Sequence, residues 1–412
     1  MLVVGASGIR SELDRVWEYI QARELPCLLF INELDKERAN FESVLKEIQD
    51  ALETKCVPIA YPIGEEANLR GVVDLLTQKA VIPVPNSHKV QEEDIPDDLK
   101  EKMSELRKQL VENVAESNDE LVEKYLNEGD LTEEEILQGL VLSAKTRQCI
   151  PVLCGSAMLN LGTTVLHNAI IQCLPSPEER AEVFSLAGTH PDTGEELVRP
   201  INGEEPFSGY VFKTTIDPFM GRHTYLKVCS GVLEADSTFF NPVKNVKEKG
   251  GHLYYLQGKK STQTQRAAAG EIVVMGKLKE THTGETICTD KAPIVFPAAQ
   301  LRRPVMSFAL EPKAKGDIDK VSLGLHKLVE EDASLEFIRN DETKEMLLSG
   351  VGQTHIELTL EKLHRKYGVD VNLHTPKVAY RETIQKMAQA QGKYKKQTGG
   401  HGQYGDLSLI HI

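Results

Sequence analysis

The hydrophobic pattern of this 412-residue chain changes twice, and the changes restrict the folds that it can adopt. Up to about residue 180, continuous apolar strands alternate with amphipathic helices. From Pro206 the segments become short, alternate apolar with polar residues and are separated by Gly, Asn and Asp. From Pro304 longer strands and helices return in a new order. Because one hydrophobic core rarely serves a chain of this length, the pattern predicts a multidomain protein of roughly three units.

The first unit is predicted to be a parallel α/β sheet. Strand patterns at 2–4, 26–32 and 56–63 alternate with helical periodicity over 11–24 and 40–52. This βαβαβ order is typical of doubly wound sheets. Nucleotide-binding sheets of this kind commonly carry a phosphate loop, but no G-x-x-x-x-G-K-[ST] pattern occurs anywhere in the sequence.

A strongly acidic segment follows before the next predicted strand. Residues 86–146 contain 17 Asp and Glu but only 7 Lys and Arg, whereas residues 385–405 contain four lysines and no carboxylate. Helices are predicted over 97–116 and 132–147, and a buried strand over 149–157. The charge pattern indicates two different partners, although a solvated helical face and a flexible end would explain each segment equally well.

The later units follow two further patterns. Short alternating segments from residue 206 to about 300 predict a small β-barrel. Residues 305–374 have the order βαββαβ, which predicts the ferredoxin-like arrangement. The last predicted strand, "KVAYRETI" at 377–384, begins a further unit.

Composition excludes several classes of protein. No apolar run approaches the ~20 residues that span a bilayer, and no signal segment is recognisable, so we expect a cytoplasmic protein without a membrane partner. The net charge of −14 argues against general affinity for nucleic acid. The seven cysteines form no C-x-x-C pair and lie in apolar stretches, which predicts buried free thiols and no metal site.

The most informative short stretch is "PCLLFINELDKERANF", residues 26–41. Its buried strand ends at Asn32 with Asp35 three residues later, and ligands bind at the carboxyl ends of strands in open α/β sheets. An Asp at that edge can accept two parallel hydrogen bonds from a planar donor edge, such as N1–H and the 2-amino group of guanine. Taken alone, however, Asn32 and Asp35 could simply turn the chain and cap the next helix.

Taken together, these pieces resemble the elongation factor G family of translational GTPases. "FINELDKERANF" (30–41) is similar to the guanine-specificity motif N-K-x-D, and "VLCGSA" (152–157) is similar to the Ser-Ala motif of the family. The long acidic helical insert between these two motifs is a family trait. "GKYKKQTGGHGQYGD" (392–406) is similar to the opening of the fourth domain. Its residues resemble those of the elongation-factor-G-like paralogues more than those of the main translocase.

The resemblance implies a multidomain fold of α/β, β and α+β parts. We expect part of a P-loop-GTPase-type parallel sheet with a helical insert, a β-barrel, a ferredoxin-like βαββαβ domain and the start of a fourth domain. The implied bounds are 1–180 for the partial GTP-binding domain, with the acidic subdomain at about 80–148, then 200–300, 303–376 and 377–412.

The resemblance also implies roles for individual residues. Asp35 would accept the guanine donors, Asn32 would hold the loop and the base, and Ser156 with Ala157 would close the site around GTP or GDP. Glu33 departs from the motif, because the family has Lys there. The phosphate-binding and catalytic parts of the family, which also bind Mg²⁺, precede the region that this chain matches, so no catalytic residue is assigned in it.

The implied function is that of a ribosome-dependent GTPase that drives translocation in protein synthesis. We expect a monomer that contacts ribosomal RNA and the large-subunit stalk proteins, and we interpret the chain as an internal fragment that is inactive in hydrolysis by itself. The terminal "LSLIHI" does not resemble the continuation of the family. A ribosome-protection GTPase of the tetracycline-resistance type, or a ribosome-binding paralogue with weak or no hydrolysis, remains an alternative.

Overall fold

The first unit contains a four-stranded parallel sheet. The computed structural model describes residues 1–84, 87, 89–182, 184–217, 221–258, 260–382, 385–397 and 399–411. Strand Leu29–Asn32 lies between Leu2–Val4 and Ile150–Cys154, and Cys56–Pro58 follows on the far side. The elements before the insert are β1 Leu2–Val4, α1 Ser11–Ala22, β2 Leu29–Asn32, α2 Phe41–Leu52 and β3 Cys56–Pro58.

The insert contains an antiparallel sheet as well as helices. The strand predicted over 56–63 is in fact two strands of different sheets. Ile59 is the link between them, because its N–H donates to Val152 O of the parallel sheet at 2.8 Å while its carbonyl oxygen accepts from Leu75 N of the insert at 3.0 Å. The insert consists of β4 Ala60–Ile63, β5 Gly71–Asp74, β6 Lys79–Pro83, β7 Val90–Glu93, α3 Lys100–Ala115, α4 Asp119–Glu128 and α5 Glu133–Thr146. The parallel unit then ends with β8 Ile150–Cys154, α6 Thr163–Cys173 and α7 Pro177–Ala181.

The two helices predicted over 97–116 and 132–147 are present as α3 and α5, but a third helix, α4, lies between them and was not predicted. Asn118 caps this helix by accepting a hydrogen bond from Glu120 N, and Gly129 ends it with φ +80°. The core cluster of the parallel sheet also contains residues of the insert, namely Leu110 and Val111 of α3 and Ile136 and Leu140 of α5. The insert is therefore packed onto the sheet and is not a detached appendage.

The second unit is an antiparallel β structure around its own core, as predicted for a small barrel. Its main sheet has eight strands in the order β15-β14-β20-β11-β12-β19-β16-β17, and β13 pairs with β18. The strands are β9 Leu186–Thr189, β10 Glu196–Arg199, β11 Ser208–Asp217, β12 Gly221–Ser230, β13 Val232–Glu234, β14 Thr238–Asn241, β15 Val246–Lys249, β16 Leu253–Gln257, β17 Lys260–Thr264, β18 Arg266–Ala268, β19 Ile272–Gly276 and β20 Thr286–Cys288. We call residues 200–300 the barrel unit.

The third unit has the predicted βαββαβ order. Its antiparallel sheet runs β22-β23-β21-β24, so the first strand lies between the third and the fourth, as in ferredoxin-like folds. The elements are β21 Met306–Pro312, α8 Ile318–Glu331, β22 Glu336–Arg339, β23 Met346–Gly350, α9 Gln353–Tyr367 and β24 Val371–His374. We call residues 303–376 the βαββαβ unit.

The last part of the chain forms a long hairpin of β25 Ala388–Gln397 and β26 Gly402–His411. The strand predicted over 377–384 is absent from its described residues, 377–382, while residues 383 and 384 lie outside the description. Side-chain contacts hold this segment instead: Lys377 N donates to Glu345, and Arg381 pairs with Glu342 at 2.7 Å. The terminal "LSLIH" takes part in β26.

Candidate functional site

The candidate site lies where two neighbouring parallel strands end. Asn32 is the last residue of β2, and the loop that contains Ser156 and Ala157 follows β8, the strand beside it. Asn32 Oδ1 accepts a hydrogen bond from Ala157 N at 2.9 Å. The Asn32 carbonyl oxygen accepts one from Gly5 N, just beyond β1, at 2.7 Å. The Asn32 side chain therefore joins the two predicted motifs directly.

The loop after β8 is closed by a short backbone bridge. Ser156 N donates to Leu161 O at 3.1 Å, and Leu161 N donates to Ser156 O at 2.9 Å. A side chain cannot be accommodated on either flank of this bridge, because a Cβ on Gly155 would lie 2.1 Å from Leu161 O and one on Gly162 would lie 2.2 Å from Cys154 O. The two glycines thus allow the loop to turn back and present Ser156 and Ala157.

Asp35 provides a charged acceptor beside this loop. Its side chain is 12% exposed, Oδ2 lies 3.5 Å from Lys36 Nζ, and Oδ1 is buried without a hydrogen-bond partner among the described residues. The Ser156 hydroxyl is the main cause that holds the pKa of Asp35 below its usual value; burial opposes this effect and Lys36 adds to it.

The backbone between Asn32 and Asp35 forms a tight turn. Glu33 has a left-handed φ of +60°, and its carbonyl oxygen accepts a hydrogen bond from Lys36 N at 3.2 Å. The buried Leu34 donates its N–H to Gly155 O at 3.2 Å, which ties the turn to the other loop. Asp35 is thus held at the same sheet edge as Ser156 and Ala157.

The simpler interpretation, in which Asp35 caps the next helix, is not supported. Helix α2 is capped by Asn40, whose side chain accepts a hydrogen bond from Ser43 N at 2.8 Å. Asp35 is therefore left without a capping role, and its buried Oδ1 has an unmet capacity to accept hydrogen bonds. An unpaired buried acceptor is costly, and a ligand with a donor edge would remove that cost.

The structure brings all four predicted site residues, Asn32, Asp35, Ser156 and Ala157, to one edge of the sheet. Sequence reasoning missed the supporting residues, namely Gly5, Leu34 and the bridge residue Leu161. The spacing of Gly155 and Gly162 around a six-residue loop was the available signal for that bridge. The sequence contained no comparable signal for Gly5 and Leu34, because their contacts join residues that are far apart in the chain.

Other kinds of site receive less support. Within the described residues there is no group of three or more His, Cys, Asp or Glu side chains that could hold a metal ion. All seven cysteines are unpaired, and six of them are buried. Among the described residues no helix is both long and apolar enough to cross a membrane.

Comparison with protein families assigns most of the chain. Residues 1–176 match the Elongation factor Tu GTP binding domain. Residues 206–290 match Elongation factor G domain 2, residues 301–375 match Elongation Factor G, domain III, and residues 376–410 match Elongation factor G, domain IV. The four matches follow the order of the units described above.

A solved structure has the same arrangement. The chain is similar to a protein from Thermus thermophilus whose crystal structure is known, with 31% sequence identity and a TM-score of 0.77. The match covers 99% of this chain and 58% of the Thermus chain. The present chain therefore spans somewhat more than half the length of that relative.

Proposed function

The chain belongs to the elongation factor G family of translational GTPases, and we propose that the edge formed by Asn32, Asp35, Ser156 and Ala157 binds the guanine base of GTP or GDP. The observation that carries this proposal is the buried, unpaired Oδ1 of a charged Asp35. Guanine presents N1–H and a 2-amino group on one edge, and a carboxylate accepts two such parallel hydrogen bonds.

Each side chain then has a separate task. Asp35 accepts hydrogen bonds from the two donors of the base. Asn32 holds the loop in place by accepting the hydrogen bond from Ala157 N at 2.9 Å. Ser156 favours the ionised carboxylate, because its hydroxyl lowers the pKa of Asp35. Adenine offers no such donor pair, so its binding would leave a buried acceptor unpaired at a cost of ~1–3 kcal/mol.

Hydrolysis is proposed to need residues beyond this site. Phosphoryl transfer requires a phosphate cradle, Mg²⁺ and a positioned water, and no G-x-x-x-x-G-K-[ST] loop occurs in these 412 residues. The described residues also offer no cluster that fits a metal ion, so no step through Mg²⁺ is assigned to them. We propose that the chain alone binds the base with millimolar-class affinity, ~−4 kcal/mol, and does not hydrolyse GTP.

The test is a titration of the isotopically labelled chain with GMP and, separately, with AMP, followed by NMR. We expect GMP to shift the amide signals of Asp35 and Ala157 and AMP to leave them largely unchanged. Equal shifts with the two nucleotides, or shifts confined to another surface, would overturn the assignment. A GTP-turnover assay on the same sample tests the absence of hydrolysis.

For the whole protein we propose a ribosome-dependent GTPase of the translocase type. We further propose that it is monomeric and cytoplasmic and contacts ribosomal RNA. A ribosome-protection GTPase of the tetracycline-resistance type has a similar architecture and is the second candidate. The third, a ribosome-binding paralogue with weak hydrolysis, is favoured by Glu33, because a carboxylate beside a polyphosphate opposes binding.

Glu33 can be tested in a protein that carries this chain together with a phosphate loop. Glu33→Lys should tighten GDP binding, and Glu33→Gln, which only removes the charge, should produce part of that gain. Unchanged affinity in both variants would mean that the Glu33 carboxylate does not face the phosphates. Ribosome-stimulated turnover of the unsubstituted protein separates the weakly hydrolysing paralogue from the two GTPase candidates.

We also propose that the acidic insert, residues 86–146, is a docking surface for the ribosomal stalk. Deleting the insert is a poor test, because α3 and α5 share their core with the parallel sheet. Glu123 and Glu134 are exposed, so Glu123→Lys and Glu134→Lys change the surface without disturbing that core. We expect these variants to bind ribosomes more weakly with unchanged GMP binding; an equal loss of both would contradict the docking role.

A further inference from the structure

An ion pair of the βαββαβ unit binds the backbone of the barrel unit. Glu331, the last residue of α8, accepts a hydrogen bond from Ile216 N in β11 at 2.5 Å. Lys366 Nζ of α9 donates to the carbonyl oxygen of the same Ile216 at 3.2 Å. Lys366 and Glu331 are themselves paired at 2.6 and 2.8 Å. Both backbone polar groups of one barrel residue are thus bound by side chains of the neighbouring unit.

This contact lies on an open strand edge. β11 pairs with β12 over most of its length, but it pairs with β20 only through residues 208–210. At Ile216, therefore, the side of β11 away from β12 has no strand partner among the described residues. The Glu331–Lys366 pair takes the place of a neighbouring strand and protects a backbone edge that would otherwise stay unpaired.

A second charge pair lies beside the first. Arg222 Nη1 of β12 is 2.8 Å from Glu330 Oε1, and the two side chains are only 14% and 28% exposed. Arg222 is also fixed within the barrel unit, where it donates to the carbonyl oxygens of Lys279 and Thr281 and contacts His282 Nδ1 at 2.8 Å. Glu330 therefore meets a guanidinium group that is already held in place.

No shared apolar core joins these two units among the described residues. The core cluster of the barrel unit and that of the βαββαβ unit have no residue in common. The connecting segment, residues 297–303, is exposed throughout. Half-buried, multiply bonded charge pairs are stronger than exposed ones, so the contacts of Glu330 and Glu331 can restrain the relative orientation of the units.

We propose that Glu330 and Glu331 form a charge clamp that locks the barrel unit and the βαββαβ unit into a single relative orientation in the free chain. The clamp acts at two points, the open edge at Ile216 and the guanidinium group of Arg222. Removing both carboxylate charges would free the units to reorient about residues 297–303, while each unit keeps its own core and remains folded.

The test measures the distance between the two units in the full 412-residue chain. Spin labels are placed on exposed positions, Lys249→Cys in the barrel unit and Lys362→Cys in the βαββαβ unit, and distances are measured by pulsed electron resonance. The chain without these two cysteines reports any labelling of the native thiols. We expect a narrow distance distribution in the parent chain and a clearly broader one in the Glu330→Gln, Glu331→Gln double variant.

Two controls make the result specific. Asp290→Asn removes an exposed pair with Lys247 inside the barrel unit and should leave the distribution narrow. Arg222→Glu should broaden the distribution, and adding Glu330→Arg should narrow it again by restoring the pair with reversed charges. A broad distribution in the parent chain, or an unchanged one in the double variant or in Arg222→Glu, would overturn the clamp.

Discussion

At the scale of single residues, the candidate site depends on one carboxylate in an unusual state. Asp35 is nearly buried and has a lowered pKa, yet one of its oxygens has no partner within the described part of the chain. The Ser156 hydroxyl lowers this pKa most and Lys36 adds to it, while burial acts in the opposite direction. A charged and unpaired acceptor at a sheet edge is suited to a ligand with two adjacent donors.

The first prediction concerns the specificity of this acceptor. Asp35→Asn replaces one carboxylate oxygen by an amide that donates, so it should pair with the 2-carbonyl of xanthine and oppose the 2-amino group of guanine. We expect the ratio of GMP to XMP affinity, measured by NMR titration of the chain, to reverse by about tenfold or more. Glu37→Gln, an exposed change in the same turn, is the control; an unchanged ratio in Asp35→Asn would contradict guanine recognition.

The second prediction concerns the loop that presents Ser156 and Ala157. Gly162 has φ +75°, and an added Cβ would lie 2.2 Å from Cys154 O, whereas Gly129 has a similar φ of +80° with nothing within 4 Å. Gly129→Ala should therefore cost only the backbone strain, about 1 kcal/mol of the free energy of unfolding. Gly162→Ala adds a clash with the backbone and should cost about 3 kcal/mol or more. Urea unfolding measures both, and equal costs would show that the loop adjusts freely.

At the scale of elements, the two helices of the βαββαβ unit are joined by a small polar network. Asp332, just after α8, accepts hydrogen bonds from Ser334 N at 3.0 Å and Ser334 Oγ at 2.5 Å. Its other oxygen lies 3.0 Å from His355 Nε2 in α9. Val351 N donates to His355 Nδ1 at 3.3 Å, so Nε2 carries the proton that is donated to Asp332. The network therefore links the end of α8 to the beginning of α9.

The third prediction is a pH dependence of that network. Burial raises the pKa of Asp332, but the Ser334 hydroxyl and amide and His355 outweigh it, so the pKa lies below its ordinary value. Its contribution to stability is thus present above the ordinary carboxyl value of about 4 and is lost as the pH falls through the lowered value. Asp332→Asn should reduce the free energy of unfolding by on the order of 1 kcal/mol at neutral pH, and by less in acid.

Urea unfolding of both proteins at neutral pH and below about pH 3 checks this expectation. Asp370→Asn, in an exposed pair with His364, should have little effect at either pH. A deficit in Asp332→Asn that stays the same in acid would mean that the charge of Asp332 does not contribute.

At the scale of the whole molecule, the barrel unit is completed by a hairpin that lies before residue 200. Leu186 of β9 and Leu197 of β10 pack against the buried Cys229, Ile294 and Phe296 of a second core cluster. Thr189 also forms a backbone bridge with Val295. The hairpin of β9 and β10 thus covers apolar surface that would otherwise be exposed to water.

The fourth prediction is that residues 184–382 fold without the first unit. Their three core clusters contain only residues from within this segment, so a soluble protein with cooperative thermal unfolding is expected. The matched segment 200–382 lacks the hairpin of β9 and β10 and should melt at a lower temperature, because Ile294 and Phe296 lose their cover. Equal melting temperatures, or a longer segment that does not fold, would contradict this division of the molecule.

Much of the architecture could be predicted from the sequence, because the signals are local. Period-2 and helical patterns predicted the βαββαβ unit and the order of the main strands, and the motifs around Asn32 and Ser156 predicted which residues would share a sheet edge. The missed helix α4 shows the limit of pattern reading. Its capping residues, Asn118 and Gly129, can be recognised in the sequence. The helix itself is rich in charged residues and has no buried residue, so its apolar periodicity is weak.

The sequence by itself determined the order of the units and the family, and it predicted the candidate site residues, because each depends on residue types at fixed spacings along the chain. Only the tertiary structure decided which oxygen of Asp35 stays unpaired, that Gly5 and Leu34 brace the site, and that Glu331 binds the edge at Ile216. These contacts join residues separated by tens to over a hundred positions. Their formation depends on how the sheets and helices pack in space, and no local pattern in the sequence encodes that packing.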